Sequence, residues 1–301
     1  MSLAPLADLH RHLDGSLRRS SLQQLAARDG LSVPDDLCFS ANMGLSEALS
    51  RFAFTLSLLQ TPERVKRIAS EICEDADDDG VSCLEIRFAP QLHQGAAPEA
   101  IVEAALEGIA GRAGLILCGL YGEPPEVLAH LVDIAASRQG VVGLDLAGGP
   151  APGHDFSMAD YGPAFTRAKQ LGIGRTVHAA EGRDVSEIRV AIEQLHAQRI
   201  GHGTTLLDSA AVVDLVLERE VTIEACPTSN VHTGVIDRVE SHPLGQWLDR
   251  GVRVCVCPDN TLLSDVTASQ EHERASAIEG IDEIKMARLI AHGHAAAFNR
   301  P

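Results

Sequence analysis

Short apolar runs alternate with longer amphipathic stretches along nearly the whole chain. The runs are rich in leucine and β-branched residues and are almost continuously apolar, which is typical of strands buried on both faces. The helical stretches between them predict parallel pairing, because parallel strands need a crossover connection. The predicted strands are Leu6–Leu13, Val81–Phe88, Leu115–Tyr121, Val141–Leu146, Arg175–His178, Arg199–Gly201, Val221–Ala225 and Val252–Val256.

The number of these strand-helix units predicts the architecture. Eight strands that alternate with helices favour a closed (β/α)8 barrel, an α/β fold of the TIM-barrel type. An open doubly wound sheet is the alternative. Barrels of about 250 residues commonly form one domain, and no linker rich in Gly, Ser or Pro divides the 301 residues. We therefore expect a single domain over residues 1–301.

The connection after the first predicted strand is longer than the others and contains an additional amphipathic segment. Its apolar positions recur at helical spacing and are Leu45, Ala48, Leu49, Phe52, Leu56 and Leu59. Another helix follows, with Thr61 as N-cap, Pro62 in the first helical position and an end at Asp79-Gly80. Long excursions after a strand gather on the active-site face of a barrel. The additional helix is therefore expected either to pack on the core or to form a lid over the barrel mouth.

Composition and charge indicate which classes of binding partner and which cellular compartment to expect. The formal net charge is −17 and lysine is confined to Lys66, Lys169 and Lys285, which argues against binding to nucleic acid or to an anionic membrane. The seven cysteines are dispersed without a CxxC pair, as in proteins of a reducing cytosol. Neither a signal-peptide pattern nor an uncharged apolar run of about 18 residues is present. We expect a cytoplasmic protein, and these features make no prediction of its oligomeric state.

Histidines and carboxylates fall at or just after the carboxyl ends of the predicted strands. His10 and His12 lie two residues apart on the first strand, so their side chains share one face. His178 ends strand five and Asp259 follows strand eight. Such ends converge on one mouth of a barrel, and zinc favours imidazole and carboxylate ligands with one position open to water. We therefore predict one zinc ion per chain, held by these four residues.

Two further titratable residues remain at the same mouth. Glu181 follows strand five, and His202 follows strand six. A catalytic metal lowers the pKa of a bound water, so one of these side chains is suited to take the water's proton and the other to protonate the substrate. His93, His154 and His232 are secondary candidates for lining the same pocket.

Short motifs that carry these residues accompany the strand ends along nearly the whole chain. They are Leu9-His-Arg-His-Leu-Asp-Gly-Ser16, Arg87-Phe-Ala-Pro-Gln-Leu-His93, Asp145-Leu-Ala-Gly148, Val177-His-Ala-Ala-Glu181, Arg199-Ile-Gly-His-Gly203, Glu224-Ala-Cys-Pro-Thr-Ser-Asn230 and Cys257-Pro-Asp-Asn260. In this order and at this spacing they resemble the adenosine deaminase family.

The resemblance implies hydrolytic removal of ammonia from C6 of an adenine ring, with zinc held by the four ligands predicted above. Glu181 matches the residue that protonates ring N1, and His202 matches the base that guides the attacking hydroxide. Protonation of N1 makes C6 electrophilic, so the acid and the metal must face the same ring. The Gly148 amide matches a donor to ring N3, and Asp14 matches a position near the sugar end of the substrate. His12 is expected to contact the substrate as well as the metal.

Two positions depart from the family pattern. The family usually has a second Asp after the metal-binding Asp, in contact with purine N7, where this chain has Asn260. The amide of Asn260 offers an NH2 donor to N7, and it equally suits a carbonyl acceptor. The family's HAGE motif is His178-Ala-Ala-Glu181 here, so Ala180 adds a methyl group near the metal. The substrate candidates are adenosine, adenine, N6-substituted adenines and 6-aminodeoxyfutalosine, with the modified aminopurines ranked slightly above adenosine.

Two other classes of protein share parts of this pattern. The wider amidohydrolase superfamily also has the HxH barrel motif, but its two-metal members typically bridge the metals with a carboxylated lysine after strand four. Residues 141–149 contain no lysine, which favours a single metal. The other alternative is a barrel that binds purines without catalysis. The presence of every expected ligand together with Glu181 and His202 argues against it.

Overall fold

The computed structural model describes residues 4–298, and eight parallel strands form its centre. The strands are β1 (Leu6–His12), β2 (Val81–Phe88), β3 (Gly114–Leu120), β4 (Val141–Ala147), β5 (Gly174–Ala179), β6 (Arg199–His202), β7 (Thr222–Ala225) and β8 (Arg253–Val256). Each strand pairs in parallel with the next one along the chain. All eight predicted strands are confirmed to within one residue at each end. Residues 1–3 and 299–301 of the predicted domain lie outside the described part of the chain.

The sheet closes between β8 and β1 at the carboxyl ends of these strands. The amide of His12 donates to the carbonyl of Asp259 (2.9 Å), and the amide of Asp259 donates to the carbonyl of His10 (3.1 Å). Arg11 and Asp259 form a parallel bridge at the same place. The described residues therefore form the predicted (β/α)8 barrel and not an open doubly wound sheet.

Helices connect the strands and surround the barrel. They are α1 (Arg19–Arg28), α2 (Leu45–Leu58), α3 (Pro62–Asp78), α4 (Pro98–Ile109), α5 (Pro125–Ala136), α6 (Gly162–Gln170), α7 (Ser186–Glu193), α8 (Ala210–Glu218), α9 (Pro227–His232), α10 (Leu244–Asp249), α11 (Ala268–Ala275) and α12 (Glu283–Ala296). As predicted, α3 begins at Pro62 after Thr61 as N-cap, although the Thr61 side chain makes no capping hydrogen bond. Within residues 4–298, no helix is both long and apolar enough to cross a membrane.

The strands carry an apolar outer face and, in part, a charged inner face. Ile86, Leu117 and Ile200 are fully buried and join the surrounding helices in one hydrophobic core. Glu85 and Arg87, the neighbours of Ile86 on β2, are equally buried but face the barrel interior, because successive side chains of a strand point to opposite faces. The main core therefore lies between the strands and the helices, and the barrel interior holds charged side chains.

The long connection between β1 and β2 contains α1, α2 and α3. The second of these helices, α2, spans Leu45–Leu58, as its helical spacing predicted. Leu45, Leu49 and Phe52 of α2 line a pocket at the carboxyl ends of the strands, together with His12 and other residues of the predicted site. The helix thus lies over the barrel mouth, where a lid is expected.

Candidate active site

The four predicted metal ligands converge at the barrel mouth. Nε2 of His12 lies 3.3 Å from Nε2 of His178 and 3.4 Å from Oδ1 of Asp259. Nε2 of His10 lies 3.6 Å from the same Asp259 oxygen. The residues come from the ends of β1, β5 and β8, and His10 and His12 share one face of β1 as the period of a strand requires. One cluster of three imidazoles and a carboxylate therefore forms from distant parts of the chain.

The atoms of this cluster fit a divalent metal ion. Zinc binds imidazole nitrogen at about 2.0–2.1 Å, so two ligand atoms of a tetrahedral site lie roughly 3.3 Å apart. The distances of 3.3, 3.4 and 3.6 Å between the ligand atoms are close to that spacing. Nε2 of His10 is buried and has no hydrogen-bond partner within residues 4–298, which is costly unless a cation uses its lone pair. His202 also lies close enough, within 4.8 Å of His10 and Asp259, to belong to a metal-binding group.

The backs of two imidazoles are held by a buried network of charges. Nδ1 of His10 lies 2.7 Å from Glu224, and Nδ1 of His178 lies 3.0 Å from Asp145. Arg87 joins the two carboxylates, because one of its NH2 groups donates to Asp145 and the other to Glu224, each at 2.8 Å. With Nδ1–H donating to a carboxylate, each ring turns its Nε2 lone pair towards the cluster. The sequence did not predict the role of Arg87, Asp145 or Glu224.

The same network sets the protonation of the ligands. Burial, together with the nearby Arg87 charge, lowers the pKa of His10 well below its ordinary value. Burial also lowers the pKa of His12, and the neighbouring His178 adds to that effect. In His178 burial acts in the same direction, but the charge of Asp145 and its hydrogen bond to the ring together outweigh burial and raise the pKa. His10 and His12 are therefore neutral and ready to bind a metal, whereas at His178 a metal competes with a proton.

Glu181 and His202, the predicted acid and base, lie side by side next to the cluster. Oε1 of Glu181 is 3.8 Å from Nδ1 of His202, and the His202 ring centre is 5.1 Å from that of His10. Nδ2 of Asn230 lies 3.1 Å from Nδ1 of His202 and donates to Oε1 of Glu181 at 3.4 Å. The hydroxyl of Thr233 donates to the same Glu181 oxygen at 3.0 Å. Burial lowers the pKa of His202, so its imidazole is neutral near pH 7 and is able to accept a proton.

The predicted substrate contacts lie around the same pocket. Asn260 is buried, and its Oδ1 has no hydrogen-bond partner among the described residues. That oxygen lies against Gly15, where a Cβ atom would come within 1.9 Å of it, so only glycine fits. Asp14 is also buried, and burial raises its pKa to about 7. Gly148 lines the pocket in a left-handed conformation (φ 75°).

The pocket has a narrow part above the metal ligands and a wider lobe beside it. The narrow part has a volume of about 50 Å³ and lies under α2, between Leu45 and Phe52 on one side and Glu181 and His202 on the other. The lobe has a volume of about 350 Å³ and shares His12, Leu49, Phe52 and Gly148 with the narrow part. A cavity of about 590 Å³ at the opposite end of the barrel is lined by none of the predicted site residues.

The three secondary histidine candidates have different positions. His154 lines the lobe of the pocket, as predicted. His93 is buried, its Nδ1 lies 2.6 Å from the carbonyl oxygen of Leu59, and it lines neither part of the pocket. His232 packs against Phe39 with ring centres 5.9 Å apart and lines neither part as well. Of these three histidines, His154 is therefore the one positioned to contact a substrate.

An eight-stranded barrel whose mouth gathers imidazoles, carboxylates and a neighbouring acid and base has the architecture of a barrel hydrolase. More closely, the chain belongs to the adenosine deaminase family, since the family model described as "Adenosine deaminase" matches residues 5–300. The adenosine deaminase of Clostridium acetobutylicum is 36% identical over 315 residues, covering 98% of this chain and 93% of the relative. This membership makes the protein a hydrolytic deaminase.

Two solved structures are similar over nearly their whole length. The adenine deaminase of Arthrobacter aurescens has a TM-score of 0.89 at 25% identity, with coverage of 99% of this chain and 94% of that one. The N6-mAMP deaminase of Arabidopsis has a TM-score of 0.88 at 25% identity, with coverage of 98% and 94%. These neighbours share the barrel, and their names differ in the purine on which they act.

Proposed function

We propose that the protein hydrolytically deaminates an adenine nucleoside, replacing the C6 amino group by oxygen and releasing ammonia. The observation that carries this proposal is the meeting of the His/Asp cluster with Glu181 and His202 in one narrow pocket under α2. An acid, a base and a metal-binding group that face one small space suit the attack of water on a ring carbon. Family membership supports the same reaction.

The proposed cofactor is one zinc ion, held by His10, His12, His178 and Asp259. When bound there, such an ion would lower the pKa of a water molecule and so make hydroxide available near pH 7. A second metal is disfavoured, since β4 (Val141–Ala147) offers no lysine to bridge two ions. The buried, unpartnered Nε2 of His10 supports the assignment of this cluster as the metal site.

The chain's own residues divide the proton transfers. Glu181 donates a proton to ring N1, which draws electron density from C6 and opens it to attack. His202 accepts one proton of the attacking water and passes it to the amino group, which leaves as ammonia, and its neutral state near pH 7 suits this role. Glu181 regains its proton from the new hydroxyl group on C6. The Gly148 amide donates to ring N3. Asn260 rests its Oδ1 against Gly15, which leaves the NH2 group for ring N7.

The lobe of the pocket favours a nucleoside over a nucleotide. It is lined mainly by apolar side chains, such as Leu49, Leu56 and Leu120, and by the Asp14 carboxyl group, with no lysine or arginine among its lining residues. A phosphate there would lose hydration against these apolar side chains. Adenosine and N6-substituted adenosines therefore fit best.

A screen for the released amine, ammonia from the unsubstituted purines and methylamine from N6-methyladenosine, tests this proposal. The panel is adenosine, adenine, N6-methyladenosine, 6-aminodeoxyfutalosine and AMP, with zinc content measured on the same preparation. We expect about one zinc per chain and a kcat/KM for AMP at least ~100-fold below that of the best nucleoside, equivalent to ~2.7 kcal/mol of lost binding to the transition state. AMP turned over as fast as the nucleosides would contradict the assignment of the lobe. Neither ammonia nor methylamine from any purine of the panel would contradict the reaction.

The Asn260→Asp variant tests the proposed contact with ring N7. A carboxylate accepts hydrogen bonds only, so it meets N7 favourably only after taking a proton, whereas the amide donates at every pH. We expect a change of about tenfold, or ~1.4 kcal/mol, in the preference between adenosine and the N6-substituted substrate, with the variant shifted towards adenosine. Equal preferences in the parent and the variant would remove Asn260 from the specificity of the enzyme.

A further inference from the structure

One short helix, α9, touches both proposed proton-transfer residues. Within it, Asn230 directs Nδ2 at Nδ1 of His202 (3.1 Å) and at Oε1 of Glu181 (3.4 Å). Thr233, directly after the helix, donates its hydroxyl to the same Glu181 oxygen at 3.0 Å. Any shift of α9 along its axis therefore moves the partners of both the acid and the base.

The first turn of α9 is held by a buried carboxylate from another helix. Oε1 of Glu271, on α11, accepts a hydrogen bond from the Thr228 amide at 2.7 Å, and its Oε2 accepts one from the Thr228 hydroxyl. Arg274 donates to that hydroxyl at 3.0 Å. Glu271 is fully buried, and Thr228 is 4% exposed. Both oxygens of the carboxylate are thus matched to the amide and hydroxyl of a single residue.

Burial of the charged Glu271 carboxylate carries a free-energy cost. Burial raises the pKa of Glu271 to about 7, which expresses how poorly the surroundings solvate its charge. An apolar side chain of similar size would fill the same space without that cost. The benefit must therefore lie in what the two hydrogen bonds hold in place, and Thr228 is only two residues from Asn230 in the same helical turn.

We infer that Glu271 is a positioning residue, which fixes α9 at Thr228 and thereby holds Asn230 against Glu181 and His202. This inference rests on the proposed function, because it assigns Glu271 an effect on the proton transfers of that site. A misplacement of about 1 Å in a reacting group lowers the rate by about 10²-fold. Loss of the contact between Glu271 and Thr228 acts mainly on kcat, since Asn230 of α9 contacts both proton-transfer residues, whereas Ser229 is the one residue of α9 that lines the pocket.

Three variants on α11 give the first measurement. Glu271→Leu removes both acceptors, Glu271→Gln keeps one oxygen to accept from the Thr228 amide, and the exposed Glu273→Gln on the same helix is the matched control. We expect Glu271→Leu to lower kcat by roughly 10- to 100-fold with KM changed less than about threefold and zinc content unchanged. Glu271→Gln should recover most of the loss, and Glu273→Gln should equal the parent. An undiminished kcat in folded Glu271→Leu would overturn the inference.

A double-mutant cycle with Asn230→Ala separates positioning from general stabilisation. If Glu271 acts through Asn230, Glu271→Leu costs less than about twofold once Asn230 is absent, because coupled residues are not additive. If Glu271→Leu lowers kcat by the same factor in the parent and in Asn230→Ala, Glu271 does not act through Asn230. If Glu271→Leu does not fold, Thr228→Val replaces it in the cycle, since it removes the hydroxyl and keeps the backbone hydrogen bond.

A spectroscopic measurement keeps this inference apart from the proposed function. The side-chain amide signal of Asn230 in a ¹⁵N NMR spectrum is assigned by its loss in Asn230→Ala. We expect it to shift in Glu271→Leu and to stay unchanged in Glu273→Gln, whatever substrate the enzyme takes. An unshifted Asn230 signal in Glu271→Leu would contradict the positioning role of Glu271, even if the protein is an active deaminase. A shifted signal in a protein without deaminase activity would support the positioning role of Glu271 and contradict the proposed function.

Discussion

Replacing Glu181 with glutamine is expected to lower kcat by about 10³-fold, within the range that general acid catalysis contributes. The amide keeps the size of the side chain and the hydrogen bond from Thr233, but it has no proton to transfer to ring N1. Substrate binding should change little, because the ring keeps its other contacts. KM therefore stays near the parent value, and the loss appears in kcat.

Steady-state ammonia release from the best nucleoside measures this effect. Glu193→Gln is the matched control, because Glu193 lies on α7 with a 45% exposed side chain that pairs with Arg189 on the surface. Its kcat should equal that of the parent. If Glu181→Gln binds and turns over substrate as the parent does, the assignment of Glu181 as the proton donor is wrong.

Replacing His178 with alanine is expected to abolish metal binding and, with it, deamination. The variant removes one of the four ligands and leaves the Asp145 carboxylate without its partner imidazole. We expect the zinc content after dialysis to fall from about one per chain to less than roughly a tenth. Asp145→Asn keeps the ligand but weakens its orientation, so its zinc affinity should fall by about 10- to 100-fold.

Competition with a chromophoric chelator, together with elemental analysis, gives the zinc affinities. The control is His130→Ala, because that histidine lies on α5, has a 51% exposed side chain and pairs with Glu99. It should bind zinc as the parent does. Parent-like zinc in His178→Ala, with circular dichroism showing a folded barrel, would exclude His178 as a ligand. His202 would then be the next candidate, because it groups with His10 and Asp259.

Much of the barrel was predictable because its strands are short, apolar and separated by helices. The period of two along β1 placed His10 and His12 on one face, and the position of the other ligands at strand ends placed them at the same mouth. The α2 helix was predictable from its apolar spacing. How closely it covers the pocket was not, since packing of α2 on the mouth depends on contacts between residues far apart in sequence.

The buried charges behind the ligands were harder to predict. Arg87, Asp145 and Glu224 stand within apolar runs, where each looks like an isolated exception. Their meaning depends on which strands face each other across the barrel, because Arg87 on β2 meets carboxylates on β4 and β7. A charged residue inside an apolar strand was the available signal. Its partners could be named only once the sheet was closed.

The Ala180 position shows a limit of comparing motifs. The sequence indicated only an added methyl group near the metal, but the structure has Ala180 in the left-handed region at φ 56°. Glycine adopts this conformation without strain, whereas alanine pays roughly 1 kcal/mol or more. The departure from the family's HAGE motif therefore also bears on the backbone that leads to Glu181.

The place where the barrel closes is also the place where the candidate ligands meet. The backbone bonds between β8 and β1 involve His10, His12 and Asp259 themselves. A metal ion held by these side chains would join the first and the last strand of the sheet, so its binding free energy would add to that of closing the ring. Removal of the metal would then lower the stability of the barrel as well as its activity.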